Sequence, residues 1–219
     1  MRPVRASLVS VVAVALVAAA TASADHLDPQ ERIRPAEQAR AKAMLLRQSD
    51  LPGFQRQASS GSDAHLTCRA LDESDLTVTG DAESARWSAS VVSMTSSSTV
   101  YATRADAATS WRRGTSAAGM RCLREELASE FARQGARVSS LRRLVIPSLA
   151  QRSAAYRLLL TAKVQGQTLT VTIDFVVLMH GRALSALVVG TALVHPDRAA
   201  EVRLARIIAA RMAAAMRGS

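Results

Sequence analysis

The chain has 219 residues, 28 of them Lys or Arg and 18 Asp or Glu, for a formal net charge of +10 at pH 7. Only Lys42 and Lys163 are lysines; the arginines are spread along the whole length, and aromatics make up 3% of the chain. That excludes a base-stacking platform, so no nucleic-acid partner is expected, and the positive charge reads as a property of the whole surface.

Residues 1–24 read as a signal peptide. Arg2 and Arg5 precede an apolar run over residues 6–20, and Ala22-Ser23-Ala24 supplies small-x-small cleavage residues, so cleavage is expected after Ala24. The run is short for a bilayer span, and no later stretch is apolar enough for one. The expected address is therefore secreted, or extracytoplasmic, with membrane contact only through the signal peptide before cleavage. Residues 25–34 read as a flexible leader, and residues 35–219 as a single domain with a sizeable core.

Residues 35–48 carry strong helix formers, with Pro35 in a first turn and Ala39, Ala43 and Leu46 at helical spacing. Asp50-Leu51-Pro52-Gly53 stops that helix, and an exposed loop over residues 55–63 leads to Cys68. A short strand is expected over residues 75–79, ended by Gly80-Asp81. One longer strand is expected over residues 87–101, bent or bulged at Ser96-Ser97-Ser98. Thr103, with Asp106 three residues on, caps a helix that buries Ala107, Ala108 and Trp111. Residues 114–119 interrupt it. It resumes over residues 120–133 with Leu127 and Phe131 in its apolar stripe, and Gly135 closes it. Residues 137–149 form a strand with Leu144 and Ile146 inward and Pro147 near its end.

Residues 153–194 are the organising stretch, three antiparallel strands in a meander. Tyr156, Leu158, Leu160 and Ala162 alternate with Arg157, Leu159, Thr161 and Lys163, and a second long run alternates from Thr168 to Met179. A two-residue turn at Gln165-Gly166 sets Leu158 opposite Ile173, Arg157 opposite Asp174 and Thr161 opposite Thr170. A one-residue slip would scramble both faces. Gly181-Arg182 makes the second turn, with Gly first, and sets Val177 opposite Ala186 and Phe175 opposite Val188. One face is continuously apolar and needs a cover. The other is polar at one end and apolar at Val176, Leu178, Leu187 and Val189, which implies partial cover. Pro196 and Asp197 then open a helix running to Met216, with Leu204, Ile207, Ile208 and Met212 facing the sheet. The fold class is α+β, an antiparallel sheet with a C-terminal meander, flanked by helices.

Two cysteines, Cys68 and Cys122, both lie in the exported part, and an even count in an oxidising compartment favours a disulfide between them. The histidines show no metal-ligand spacing: His180 closes one strand and His195 ends the next, at opposite ends of the sheet. No metal and no cofactor are expected. G-x-S-x-G, S-x-x-K, H-E-x-x-H and phosphate-cradling glycine loops are all absent, and no catalytic residue is named. The one polar constellation with predicted geometry is Arg157 and Asp174, flanked by Thr170, Thr172 and Thr191. It reads either as a cross-strand contact or, if its end of the sheet stays open, as the lining of a cleft.

Ala43-Met44-Leu45-Leu46, Asp50-Leu51-Pro52-Gly53, Cys68, the DLTVTG run from Asp75, and the TVYATRADAATSW junction leading to Cys122 carry a resemblance. The chain resembles exported actinobacterial proteins related to the extracellular sensor domain of a mycobacterial receptor serine/threonine kinase. That resemblance implies a bent antiparallel sheet flanked by helices, broadly similar to the PsbP and Mog1 type of fold. It also implies a ligand cleft without established catalysis. The chain departs from the kinase sensor in having one cysteine pair where two disulfides are expected, and no binding residue carries over. The reading is a secreted, non-catalytic, sensor-like or ligand-binding protein, with a small molecule, an envelope component or another exported protein as partner. The alternatives are an extracytoplasmic hydrolase with a spatially assembled site and a protein that binds anionic polymer through its arginines.

Overall fold

A computed structural model describes residues 27–57, 68–164 and 167–217. The expected signal peptide, His26, His65 and the Gln165-Gly166 turn lie outside these residues. Nine strands are present among them: β1 (Gln30–Glu31), β2 (Gln55–Gln57), β3 (Thr77–Glu83), β4 (Arg86–Ala89), β5 (Val92–Tyr101), β6 (Ala136–Leu144), β7 (Arg152–Val164), β8 (Gln167–His180) and β9 (Ala183–Ala192). Four helices accompany them: α1 (Pro35–Met44), α2 (Arg104–Thr115), α3 (Ala117–Arg133) and α4 (Arg198–Ala215). All strands join one sheet in the order β1-β3-β5-β9-β8-β7-β6, with β4 on the β3 side of β5 and β2 beyond it. Only the β1–β3 pair is parallel. The α+β class expected from the strand pattern is the one observed.

The meander has the register its alternation demands. Tyr156 faces Phe175, Arg157 faces Asp174, Leu158 faces Ile173 and Leu160 faces Val171; beyond the next turn, Phe175 faces Val188, Val177 faces Ala186 and Met179 faces Leu184. Gly181 has φ +61°, the left-handed geometry a tight hairpin needs at its first turn position. On one face Val171, Ile173, Leu158 and Leu160 pack against Phe131 of α3, while Tyr156, Ala154 and Met179 pack against Trp111 of α2. On the other, Val176, Leu178, Leu187 and Val189 meet Ala41 and Met44 of α1 and Leu204, Ile208 and Met212 of α4. Each fully buried aliphatic side chain contributes roughly 1.5–3 kcal/mol.

The helix boundaries follow local chemistry. Thr103 Oγ1 accepts from the Asp106 amide, and Ser116 Oγ accepts from the Gly119 amide where α2 breaks from α3. Gly135, at φ +75°, closes α3. Asp197 Oδ1 accepts from the Ala199 and Ala200 amides and starts α4. Cys68 and Cys122 form the expected disulfide, with Cα atoms 5.9 Å apart, tying α3 to the segment that leads into β3.

Several expectations are corrected. From Leu27 onward the leader is tied down: Leu27 is buried, and the amides of Gln30, Arg32 and Arg34 donate to the carbonyls of Leu76, Val78 and Thr79. Helix α1 ends at Met44 and buries Glu37, Ala41 and Met44, leaving Ala39 exposed and Ala43 half-buried. Alanine on every side of α1 hides its inner face from a periodicity reading. The strand expected to end at Gly80 runs through it, because α1 crosses there so closely that a Cβ would strike the Glu37 carbonyl. The strand expected over residues 87–101 is two. The chain reverses at Ser90, φ 52°, so that Trp87 faces Met94, and the serines expected to bend it stay in β5. Partners for their buried hydroxyls explain why they can: Ser98 bonds Ser185 at 2.7 Å, and Ser96 Oγ accepts from the Leu46 amide at 2.9 Å.

Candidate functional site

Helix α4 crosses the sheet where its polar end gives way to its apolar end. The apolar stripe Leu204, Ile208 and Met212 extends one turn back to Glu201, so the same face that anchors the helix carries a carboxyl group onto the sheet. Below it Asp174 points from β8 toward the same side as Val176, because side chains alternate along a strand. Asp174 is 0% exposed and Glu201 2%. Arg157 on β7 grips Asp174 with both arms of its guanidinium, Nε to Oδ1 at 2.7 Å and Nη2 to Oδ2 at 2.6 Å. Arg198, one turn before Glu201, donates to Glu201 Oε2 at 2.8 Å and to the Val145 carbonyl at 2.7 Å.

A buried carboxylate needs donors for both oxygens, and among the described residues none reaches Glu201 Oε1. Burial therefore pushes the Glu201 carboxyl up to about 7; Arg198 opposes the shift, and hydrogen bonding and charge repulsion from Asp174 reinforce it. Arg157 and Arg198 hold the outer sides of the two acids. Each buried acid keeps one arginine partner, which offsets part of its desolvation cost.

Beside Glu201 a cavity of about 260 Å³ opens between α4, β5, β9 and the turn after α1. Leu51, Pro52, Phe54, Val92, Met94, Val189 and Leu204 make its apolar wall. Its polar lining is Thr191 and Glu201, both buried, with His195, Asp197 and Arg203 exposed. The turn that shapes one end is held from α4: Arg211 reaches the Asp50 carboxylate at 2.7 and 2.8 Å and the Leu45 carbonyl at 2.7 Å. Burial alone would raise Asp50, but Arg211 and the Arg47 amide hold it below the usual carboxylate range. The opposite end is the β9–α4 connection. There Leu193 takes φ 68°, a conformation costly for a branched side chain, and the Thr191 hydroxyl donates to the Val194 carbonyl at 2.8 Å.

Of the five residues expected at a cleft, Thr191 alone lines the cavity. Thr172 faces Thr191 across the strands and is buried, Asp174 and Arg157 support Glu201 from beneath, and Thr170 is exposed opposite Thr161. Glu201 is the candidate site residue the sequence reading missed, although an acid in register with an apolar helical stripe was a visible signal. The other acidic clusters are bound up in structure. Asp75 is held by Arg113, Glu73 accepts from Tyr101 at 3.0 Å, and Glu130 pairs with Arg133. Trp87 and Trp111 are buried in the two layers. Among the described residues, no three His, Cys, Asp or Glu side chains come together as a metal site, and no helix is long and apolar enough to cross a membrane. The disulfide is compatible with an extracytoplasmic address. No protein-family model matches the chain, and no curated protein matches it significantly.

Proposed function

We propose that this is a secreted, non-catalytic, sensor-like protein that binds a small ligand in the cavity beside α4. The observation that carries the reading is the cavity itself, concave and largely apolar, with two buried polar groups converging on it, the usual make-up of a small-molecule site. Its volume lies just below the roughly 300–1,000 Å³ of drug-sized sites, so the ligand is small. The test is a thermal-shift screen of the oxidised protein against envelope lipids, wall fragments and common metabolites. A ligand that prefers the native state raises the melting temperature by mass action. One chemical class should give a saturable rise, and Ala200→Phe, which fills the cavity, should abolish it. A rise produced only by polyanions and removed by salt would contradict this reading and favour binding through the arginines.

A second reading draws on the carboxyl pair. Glu201, raised to about 7, has the proton affinity of a general acid in an extracytoplasmic hydrolase. Against it, both Asp174 oxygens are engaged by Arg157, and the Thr191 hydroxyl spends its proton on Val194, so neither of these two residues is set up as an activated nucleophile or a free base. Turnover of any ester, amide or glycoside panel that Glu201→Gln abolishes would favour this second reading.

A further inference from the structure

We infer that the cavity selects a ligand with a short apolar body and a cationic ammonium headgroup, the headgroup set against the carboxylate of Glu201. This rests on the cavity being the binding site, and it deepens that reading by naming the ligand's chemistry.

The cavity lies at the start of α4, where free helix amides would normally favour an anion. Here the Asp197 carboxylate already takes the Ala199 and Ala200 amides, so that preference is cancelled. Thr191 has given its hydroxyl proton to Val194 and offers only lone pairs. Glu201 is 2% exposed and lines the cavity, and its Oε1 lacks a donor among the described residues. Once Glu201 is ionised, the two buried side chains that line the cavity, Thr191 and Glu201, thus both offer acceptors.

The cations nearby are committed elsewhere. Arg157 on β7 is bidentate on Asp174, and Arg198 on α4 divides its arms between Glu201 Oε2 and the Val145 carbonyl. Arg203 stands exposed at the mouth, where water screens it. A ligand that brings a positively charged donor therefore supplies what the site lacks, and an anion meets the buried Glu201 carboxyl group.

Binding carries a proton signature. With Asp174 on β8 facing it, Glu201 holds its proton near neutral pH, and an ammonium headgroup displaces that proton. Affinity rises with pH by up to about tenfold per unit below Glu201's titration and levels off above it. An alkylamine itself stays charged through this range, titrating near the lysine value of about 10.4.

The experiment is calorimetric titration of the oxidised protein with n-pentylammonium, n-pentanol and n-pentanoate, from mildly acidic to mildly alkaline pH, for the parent and Glu201→Gln. At pH above 7 the ammonium should bind about tenfold tighter than the alcohol, as a charge-assisted bond allows, and pentanoate weakest of the three. Glu201→Gln should remove that advantage and the pH dependence while leaving pentanol unchanged. If pentanol matches the ammonium in the parent, or pentanoate binds tightest, the headgroup assignment is overturned while the cavity stands. If Glu201→Gln weakens ammonium and alcohol alike, Glu201 only shapes the cavity, and the inference is likewise overturned. If none of the three binds at any pH, both this inference and the cavity reading fall.

Discussion

Across the middle of the sheet, the two faces are buried to different depths. Toward α1 and α4, Val176, Leu178, Leu187 and Val189 are no more than 4% exposed. Toward α2 and α3, Phe175, Val177, Ala186 and Val188 on the same strands are only half-buried, because α2 sits at one end of this face and α3 at the other. The deeply buried face is the one that carries Arg157, Asp174, Thr172 and Thr191, and the cavity opens on it. Uniform apolarity does not mark the better-covered side. Its two buried acids are accommodated there because each has an arginine partner.

The largest effect expected from this contrast comes from Arg157→Met. It leaves the fully buried Asp174 carboxylate without its guanidinium and should cost about 3–5 kcal/mol in urea unfolding. Reducing the disulfide, which spans a sequence separation of 54, should cost about 4 kcal/mol, and comparing oxidised and reduced unfolding measures it. Leu187→Ala should cost about 2–5 kcal/mol, whereas Val177→Ala on the opposite face of the adjacent strand should cost under about 1 kcal/mol. Equal costs for these two would break the comparison.

The smallest effect is the most informative about the site. The folded-state pKa of Glu201 lies above its ordinary 4.5, so its contribution to stability is complete below that value and is lost as pH rises through about 7. Glu201→Gln should therefore match the parent near pH 4.5 and exceed it above pH 7, by on the order of 1–3 kcal/mol. A parent protein equally stable across that window would mean Glu201 is ionised throughout.

The meander was legible residue by residue, since period-two alternation over long strands leaves one register that keeps both faces intact. The caps at Thr103 and Asp197 were legible because they depend on a few adjacent residues. What was not legible depended on distant partners. Gly80 continues its strand because α1 lies across it, and Glu37 faces inward because Arg182 reaches it at 2.7 Å. The reversal at Ser90 carried no glycine or asparagine to announce it. At the site, the Arg157–Asp174 pair followed from register alone. Its place under Glu201 did not, because it depends on where α4 lands, and strand pattern says which residues share a face but not what covers them.

The most direct test is amide chemical-shift mapping of the oxidised protein titrated with n-pentanol, a probe indifferent to the headgroup question. The account predicts saturable shifts at Thr191, Ala200, Glu201 and Leu204, with Val177, Ala186 and Val188 still. Shifts centred on those last three residues, or none anywhere, would contradict it.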